Sequence, residues 1–530
     1  MLTLSLLICL LLFANGCKKT EEMKHQNGTP FRISTETDPE TLDPRLSRDL
    51  STVTVMHMLY EGLMRSQENG EVTEALAQSI VISPDKKTYT FHLRPSAWSN
   101  ADPVTAYDFE NTWKSLLDPQ FPSPNAYQLY VIKGAQAAKE GSAPKSQIGV
   151  HATDDTTLVV ELEHPIPYFL KMTATHFFYP VHKSLSQQSP ANKPLAECDI
   201  ITNGPFHLEK WDHHNALTAL PNSHYWDRKN VHLDRIQLIV LDNPTALQLF
   251  LQGELDWTGS PLSTLSVDAL SSLKKKGTLD VSPGAGVYFM RLNTGSFPFN
   301  HVKMRRAFAL ALNRAELVEH VLQGNQEPAL GLIPYPFMEL QHHFKDHDIA
   351  LARRLFQEVM EEHSVTLQTL PPISIQYGTD ERSHKIAQVA QQQWKMALGI
   401  NVQLKNNEKK VYYDQLKQGD YQIGIGSWFA DFDDPISFLD VFKFKDNGIN
   451  HTEWENPTYI ALLDASAKSD DQEKRHPLLQ QAETLIINEM PIIPLFYSSY
   501  NYMKHPAIKG VNISQLGYLD FKYAYWDHQK

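Results

Sequence analysis

From Ile423 to Pro435 the chain reads Ile-Gly-Ile-Gly-Ser-Trp-Phe-Ala-Asp-Phe-Asp-Asp-Pro. Trp428, Phe429 and Phe432 supply ring faces, and Asp431, Asp433 and Asp434 supply carboxylates within the same short stretch. Rings can enclose an organic body while an acid meets a positive charge on it. That is chemistry for holding a small zwitterion, not for breaking one. The acids do not form an EF-hand, because its sixth-position glycine and twelfth-position glutamate are missing. Trp428 and Phe432 are costly to leave in water, which weighs against a merely solvated acidic turn.

Chemistry for turnover is absent from the motifs. There is no His-Glu-x-x-His, no Gly-x-Ser-x-Gly and no Walker loop. Ser-x-x-Lys occurs at Ser83, Ser142, Ser271 and Ser272, always without the Ser-Asp-Asn and Lys-Thr-Gly partners that would give it meaning. His342, His343 and His347 cluster beside Asp346 and Asp348, and the last two histidines have metal-chelating i, i+4 spacing. In a chain with 23 histidines such a cluster arises by chance, so neither a metal nor a cofactor is expected.

The elements that must hold the ring-and-acid stretch are legible around it. Ile373 and Ile375 mark a strand. Ile386, Val389, Ala390, Ala397 and Leu398 lie on one helix face that Gly399 stops. Ile400, Val402 and Leu404 alternate as a second strand, a short helix spans Val411 to Lys417, and Tyr421, Ile423 and Ile425 form a third strand. Strand, helix, strand, helix, strand predicts parallel pairing with right-handed crossovers. Ligands then sit beyond the carboxyl ends, where the Trp428 loop and the Gly378 to His384 loop should meet.

Earlier, Phe31 and Ile33 mark a strand, and an apolar helix runs from Val53 with Gly62 as its expected stop. Tyr89, Phe91 and Leu93 form a half-buried strand after the turn Ser83-Pro84-Asp85, and a helix opens at Pro103 and continues through Trp113. The run from Met304 to Leu322 reads as one helix closed by Gly324. At 530 residues, with 42% hydrophobic and 10% aromatic residues, the chain implies two or three lobes with ample cores. A net charge of −13 excludes nucleic acid and any general hold on anionic membrane.

Met1 to Phe13 is almost wholly apolar, too short to span a bilayer but fit for the core of a secretory signal. It ends in Ala14-Asn15-Gly16-Cys17 before Lys18 and Lys19, which resembles a bacterial lipobox with Cys17 as the lipidated residue. Two features depart from the pattern. Ala14 stands where Leu is usual, and no Lys or Arg precedes the apolar run, which is read as a start lying inside the true signal. Of three cysteines, Cys9 falls in the signal and Cys17 at the lipid site, so Cys198 alone remains in the body and no internal disulfide can form in the mature chain.

Further motifs recur in order. They are Tyr60-Glu61-Gly62-Leu63, Tyr89 to Arg94, Trp98-Ser99 leading to Pro103-Val104-Thr105-Ala106-Tyr107-Asp108-Phe109, Thr202-Asn203-Gly204-Pro205-Phe206, Gln252-Gly253-Glu254-Leu255-Asp256 and Val302 to Ala307. Together they resemble the extracellular solute-binding proteins of peptide-type (family 5) ABC transporters, from about Phe31 to the C-terminus. The resemblance implies a non-enzymatic, monomeric α/β clamshell of the periplasmic-binding-protein type, with two mixed lobes and an inserted extra domain (cluster C). The divisions it suggests are a signal over 1–16, anchor and spacer over 17–29, and a first lobe from 30–73, 197–282 and 501–530. The insert is expected over 74–196 and the second lobe over 283–500.

The resemblance also implies the partners: an oligopeptide lying in the cleft like an added strand, an ABC permease in the inner membrane, and a lipid bilayer reached through acylated Cys17. The protein would then sit in the periplasm or on the outer face of the cell membrane. By the same resemblance Asp431 pairs with the peptide ammonium, Trp428, Phe429 and Ala430 form the cleft-side strand, and Glu61 and Gly62 give the opposing lobe's backbone contact. His384 matches a histidine that serves the ligand carboxylate. Departures fall at that end of the ligand. Ile425 and Leu416 stand where the family's oligopeptide binders have arginine, and Lys409 stands where a pocket tryptophan is expected. Asn100-Ala101-Asp102 replaces the usual Asp-Gly, so a residue with an easy left-handed conformation is lost unless Asn100 takes that role. A muropeptide, a dipeptide or a metal chelate remains an alternative ligand, and a secreted peptidase is the alternative of another class.

Overall fold

The structure is a computed structural model that describes residues 29–47, 49–67, 69–186, 200–469 and 471–527. The signal, Cys9, Cys17 and Cys198 lie outside the described residues.

Alternating apolar residues place Phe31–Thr35 in an eleven-stranded sheet. The strands run in the order Val402–Asn407, Ile373–Gly378, Ile423–Phe429, Asp280–Leu292, Ile492–Lys504, Trp257–Gly259, Phe31–Thr35, Ile236–Val240, Ala216–Pro221 and Phe206–Asp212. Glu327–Pro328 adds to the side of Ile492–Lys504. As the periodicity requires, Ile373–Gly378 pairs in parallel with both Val402–Asn407 and Ile423–Phe429. The crossovers are the helices Glu381–Leu398 and Lys409–Gln418. The first starts where the Asp380 side chain accepts from the Ser383 N–H and stops at left-handed Gly399.

Two strands join the halves of this sheet. Asp280–Leu292 and Ile492–Lys504 have 13 residues each, a reach of about 40 Å. They pair antiparallel, with register shifts between Pro283 and Val287 and between Tyr288 and Phe289. Such bulges bend a ribbon. Beyond the first bulge Asp280–Leu292 pairs with Ile423–Phe429, while the far end of Ile492–Lys504 pairs with Trp257–Gly259. One hydrophobic core gathers residues from Phe31 to Leu262 and from Tyr500 to Ala524, and a second gathers residues from Ala285 to Tyr497. The rings of Tyr168 and Phe432 pack against both cores.

A separate antiparallel sheet, Ala77–Ile82, Thr88–Leu93, Thr157–Glu161 and Val150–Asp154 in that order, sits beside the helix Ala106–Leu116. Its Phe91, with Phe109 and Trp113 of the helix, continues the first core. Among the described residues no helix is long and apolar enough to cross a membrane.

Two local expectations are corrected, and one turn left open by the sequence is resolved. The first helix, Leu50–Leu59, ends at Tyr60 and not at Gly62. The Asn203 amide takes both sides of the next residue, accepting from the Glu61 N–H at 3.0 Å and donating to the Glu61 carbonyl at 3.1 Å. The run from Met304 breaks into Val302–Leu310, Arg314–Glu316 and Leu317–Leu322, because Asn313 caps a new start and Gln323, not Gly324, turns left-handed. In the Asn100-Ala101-Asp102 turn the left-handed residue is Ala101 at φ 71°.

Candidate ligand-binding site

The parallel pairing of Ile423–Phe429 ends at Gln376 opposite Gly424, so from Ile425 to Phe429 the strand is paired with Asp280–Leu292 alone, and its other edge takes no further strand among the described residues. That edge opens onto a cleft of about 1000 Å³. Gly378 to Ser383, Lys385, Lys409, Tyr412 and Ile425 to Ser427 line one wall, and Ser260 and Thr264 to Asp268 line the other. Of the two loops read as meeting at the sheet's carboxyl edge, Gly378 to Ser383 lines the cleft, whereas Trp428 and Phe429 belong to the strand and, with Asp431, lie beyond the lining residues Ile425 to Ser427.

Beyond Phe429 the chain turns back on a fixed scaffold. The Ala430 N–H donates to the Ala285 carbonyl at 3.0 Å, and the Asp431 N–H donates to Ser437 Oγ at 2.9 Å. Arg475 grips Asp434 through two nitrogens at 2.7 and 2.5 Å, both side chains being buried. Phe432 stacks on Tyr168 with ring centroids 4.8 Å apart. Trp428 donates its Nε1–H to the Ser437 carbonyl at 2.7 Å. Two of the three rings therefore brace the loop, and Phe429 is the one left exposed.

Asp431 is half-buried and meets no cation within ion-pair distance among the described residues; Tyr127, from across the fold, donates its hydroxyl to Oδ2 at 3.1 Å. Burial pushes its carboxyl up to about 6, and hydrogen bonds from Tyr127 and Gln128 only partly oppose this. Asp433 is also raised to about 6 by burial, with Lys171 at 3.8 Å pulling the other way. The arrangement is a carboxylate short of positive charge, held in place by its backbone and by hydroxyl groups.

The other expected positions are placed differently. Glu61 is buried and its side chain turns inward, taking Arg65 Nε at 2.8 Å and the Tyr225 hydroxyl. With Asn203 on both its backbone groups, Glu61 is fully engaged within the protein. Gly62 is buried against the Tyr179 ring and the Thr173 carbonyl, where an added Cβ would clash. His384 lies in the first turn of Glu381–Leu398, exposed, with Nδ1 2.7 Å from the Tyr377 hydroxyl, while its neighbours Ser383 and Lys385 line the cleft. Among the described residues no three His, Cys, Asp or Glu side chains converge as a metal site.

Cations not singled out from the sequence stand at the cleft. Arg382 donates to the Tyr288 hydroxyl at 2.7 Å, and Lys385 pairs with Glu381 at 2.6 Å. Arg382 and Lys385 follow a strand's carboxyl end at the start of a helix, a placement that could have flagged them.

Residues 71–450 match the family described as bacterial extracellular solute-binding proteins, family 5 Middle. The oligopeptide-binding protein OppA of Bacillus subtilis (strain 168) is 40% identical over 537 residues, covering 99% of this chain and 98% of that protein. The dipeptide-binding protein DppE of the same organism is 34% identical over 503 residues, covering 93% and 91%. The crystal structure of Haemophilus influenzae OppA in complex with RPPGFSPFR superposes with a TM-score of 0.76 at 27% identity, covering 94% of this chain and all (100%) of that one. The fold is thus the clamshell of the peptide-binding proteins.

Proposed function

We propose, from the premise that the chain belongs to the bacterial extracellular solute-binding proteins of family 5, that it captures oligopeptides and delivers them to the permease of an ABC importer. It is a binder and not an enzyme in this reading, tethered to the membrane through acylated Cys17. The observation that carries the reading is Asp431, a carboxylate that meets no cation among the described residues and stands just past the strand whose Ile425 to Ser427 line a cleft of about 1000 Å³. An extended peptide that adds along Ile425 to Phe429 brings its α-ammonium to this acid. The closing lobes would be 30–73, 197–282 and 501–530 against 283–500, with 74–196 inserted; the two separate cores support that division.

Titration calorimetry with matched peptides tests this. Free tetra- and pentapeptides bind the wild type, and Asp431→Ala loses about 2–5 kcal/mol, the cost of leaving a buried charge unpaired. N-terminal acetylation of the peptide should cost as much in the wild type and nothing further in the variant. A loss under twofold on either change overturns the role of Asp431. Mass spectrometry of incubated peptides excludes the peptidase alternative if they stay intact. Incorporation of a fatty-acid probe that is lost in Cys17→Ala tests the tether.

A further inference from the structure

A peptide that gives its ammonium to Asp431 must also bring a carboxylate into the cleft, and a carboxylate taken out of water needs a cation. Ile425 and Leu416, where the resemblance expects arginine, are buried apolar side chains. The neighbouring strand supplies a guanidinium instead. Arg291 stands directly opposite Gly424 in the antiparallel pair, and its guanidinium reaches Gly426 on that strand. It fills the space a side chain at Gly426 would occupy, since a Cβ there would run into Arg291 Nη1, while Leu416, Tyr412 and Tyr421 pack over Gly424. Gly426 itself lines the cleft, so no side chain at that position stands between the guanidinium and a ligand.

The environment of Arg291 is unlike that of the other buried arginines. Arg45, Arg65 and Arg475 are paired with carboxylates. Arg305 donates to the Glu489 and Phe299 carbonyls at 2.7 Å each, and Arg314 to the Pro494 carbonyl and to Asp346. Arg291 is equally buried, at 5% exposure, yet among the described residues no carboxylate lies within ion-pair distance and its Nε has no acceptor. The Phe289 ring lies 4.8 Å from its guanidinium, and Asp380 and Glu453, which act on the neighbouring Tyr412 and Tyr421, make no ion pair with it. A buried charge left this way is expensive unless an anion arrives. The exposed Arg382 and Lys385 are already partnered and hydrated, where an ion pair is worth little.

Position fits the need as well. Asp431 lies five residues beyond Gly426, a reach of at most about 17 Å because the strand ends at Phe429 and the chain then turns. An extended peptide of about four or five residues spans that distance. We infer that Arg291 receives the α-carboxylate of the bound peptide, reached from the strand beside the one that carries the ammonium site. The inference rests on the peptide reading above.

The test compares one tetrapeptide and one pentapeptide, each as free acid and as C-terminal amide, on the full chain by calorimetry. The wild type should bind the acid at least tenfold tighter than the amide. Arg291→Met should lower acid affinity to the amide level and leave amide affinity unchanged, which also shows that the variant is folded. Arg382→Met should keep the full preference. Wild-type binding indifferent to amidation overturns the assignment alone, as does a preference that survives Arg291→Met. If neither form binds the wild type, the peptide reading fails and takes the assignment with it. Should the methionine variant not fold, Arg291→Lys decides. It keeps the charge but loses the forked donor set, so the preference must shrink at least threefold, and full retention overturns the role.

Discussion

With burial holding the Asp431 carboxyl at about 6, a ligand ammonium competes with a proton for it below that pH. Binding should therefore be pH-independent above about 7 and weaken by up to tenfold per unit as pH falls below 6. Asp431→Asn should flatten that profile, as calorimetry across pH 4.5 to 8 would show. The sign for stability is opposite. The folded pKa lies above the ordinary carboxylate value, so the folded protein holds this proton more tightly than the unfolded chain. That adds stability as pH falls from about 6 to about 4, and the contribution is gone above 6. Asp431→Asn should then raise the melting temperature of the ligand-free protein at pH 7.5 while abolishing ammonium recognition. An unchanged or lower melting temperature would sink that account. Residue types pointed to the stretch of rings and acids, but only the family resemblance singled out Asp431 from Asp433 and Asp434. Arg291 was not legible, because its partner across the sheet lies more than a hundred residues away, and only that pairing brings the charge beside Gly426 of the cleft lining.

At the scale of elements, the ring-and-acid turn is held by one buried ion pair. Arg475 comes from the helix Gln472–Glu489 and takes Asp434 in a fork. Arg475→Met should destabilise the fold by about 3–5 kcal/mol, because Asp434 would be left buried and unpaired. Denaturant titration reads this directly, and a loss below 1 kcal/mol would mean the turn is held by its backbone instead. The Asn100-Ala101-Asp102 turn runs the other way. Ala101 holds a left-handed φ of 71° that glycine adopts without strain, so Ala101→Gly should stabilise by about 0.5–1 kcal/mol. The parallel strands and their crossover helices could be read from periodicity, since each buries one face and carries its own cap. The end of the first helix could not. Its stop is set by the Asn203 side chain and not by a local glycine.

At the scale of the molecule, the two cores communicate through two long strands, the bulges between them, and the Tyr168–Phe432 stack that touches both sides. Few elements cross, and those that do are bent, which is the anatomy of a hinge. A ligand closes such a hinge only by binding the closed state better than the open one. A peptide anchored as proposed, by Asp431 and Arg291 beside the wall of Ile425 to Ser427, would gain that difference from contacts with Ser260 and Thr264 to Asp268 on the other. Binding should therefore compact the protein as well as stabilise it. At a ligand concentration a hundredfold above Kd the added stability is about 2.7 kcal/mol, visible as a higher melting temperature, and small-angle scattering should show a smaller radius of gyration under the same conditions. Thr264→Trp, which crowds the opposing wall, should weaken binding and compaction together while leaving the ligand-free radius unchanged. A ligand that raises the melting temperature without changing the radius would confine recognition to one wall and remove closure from the mechanism.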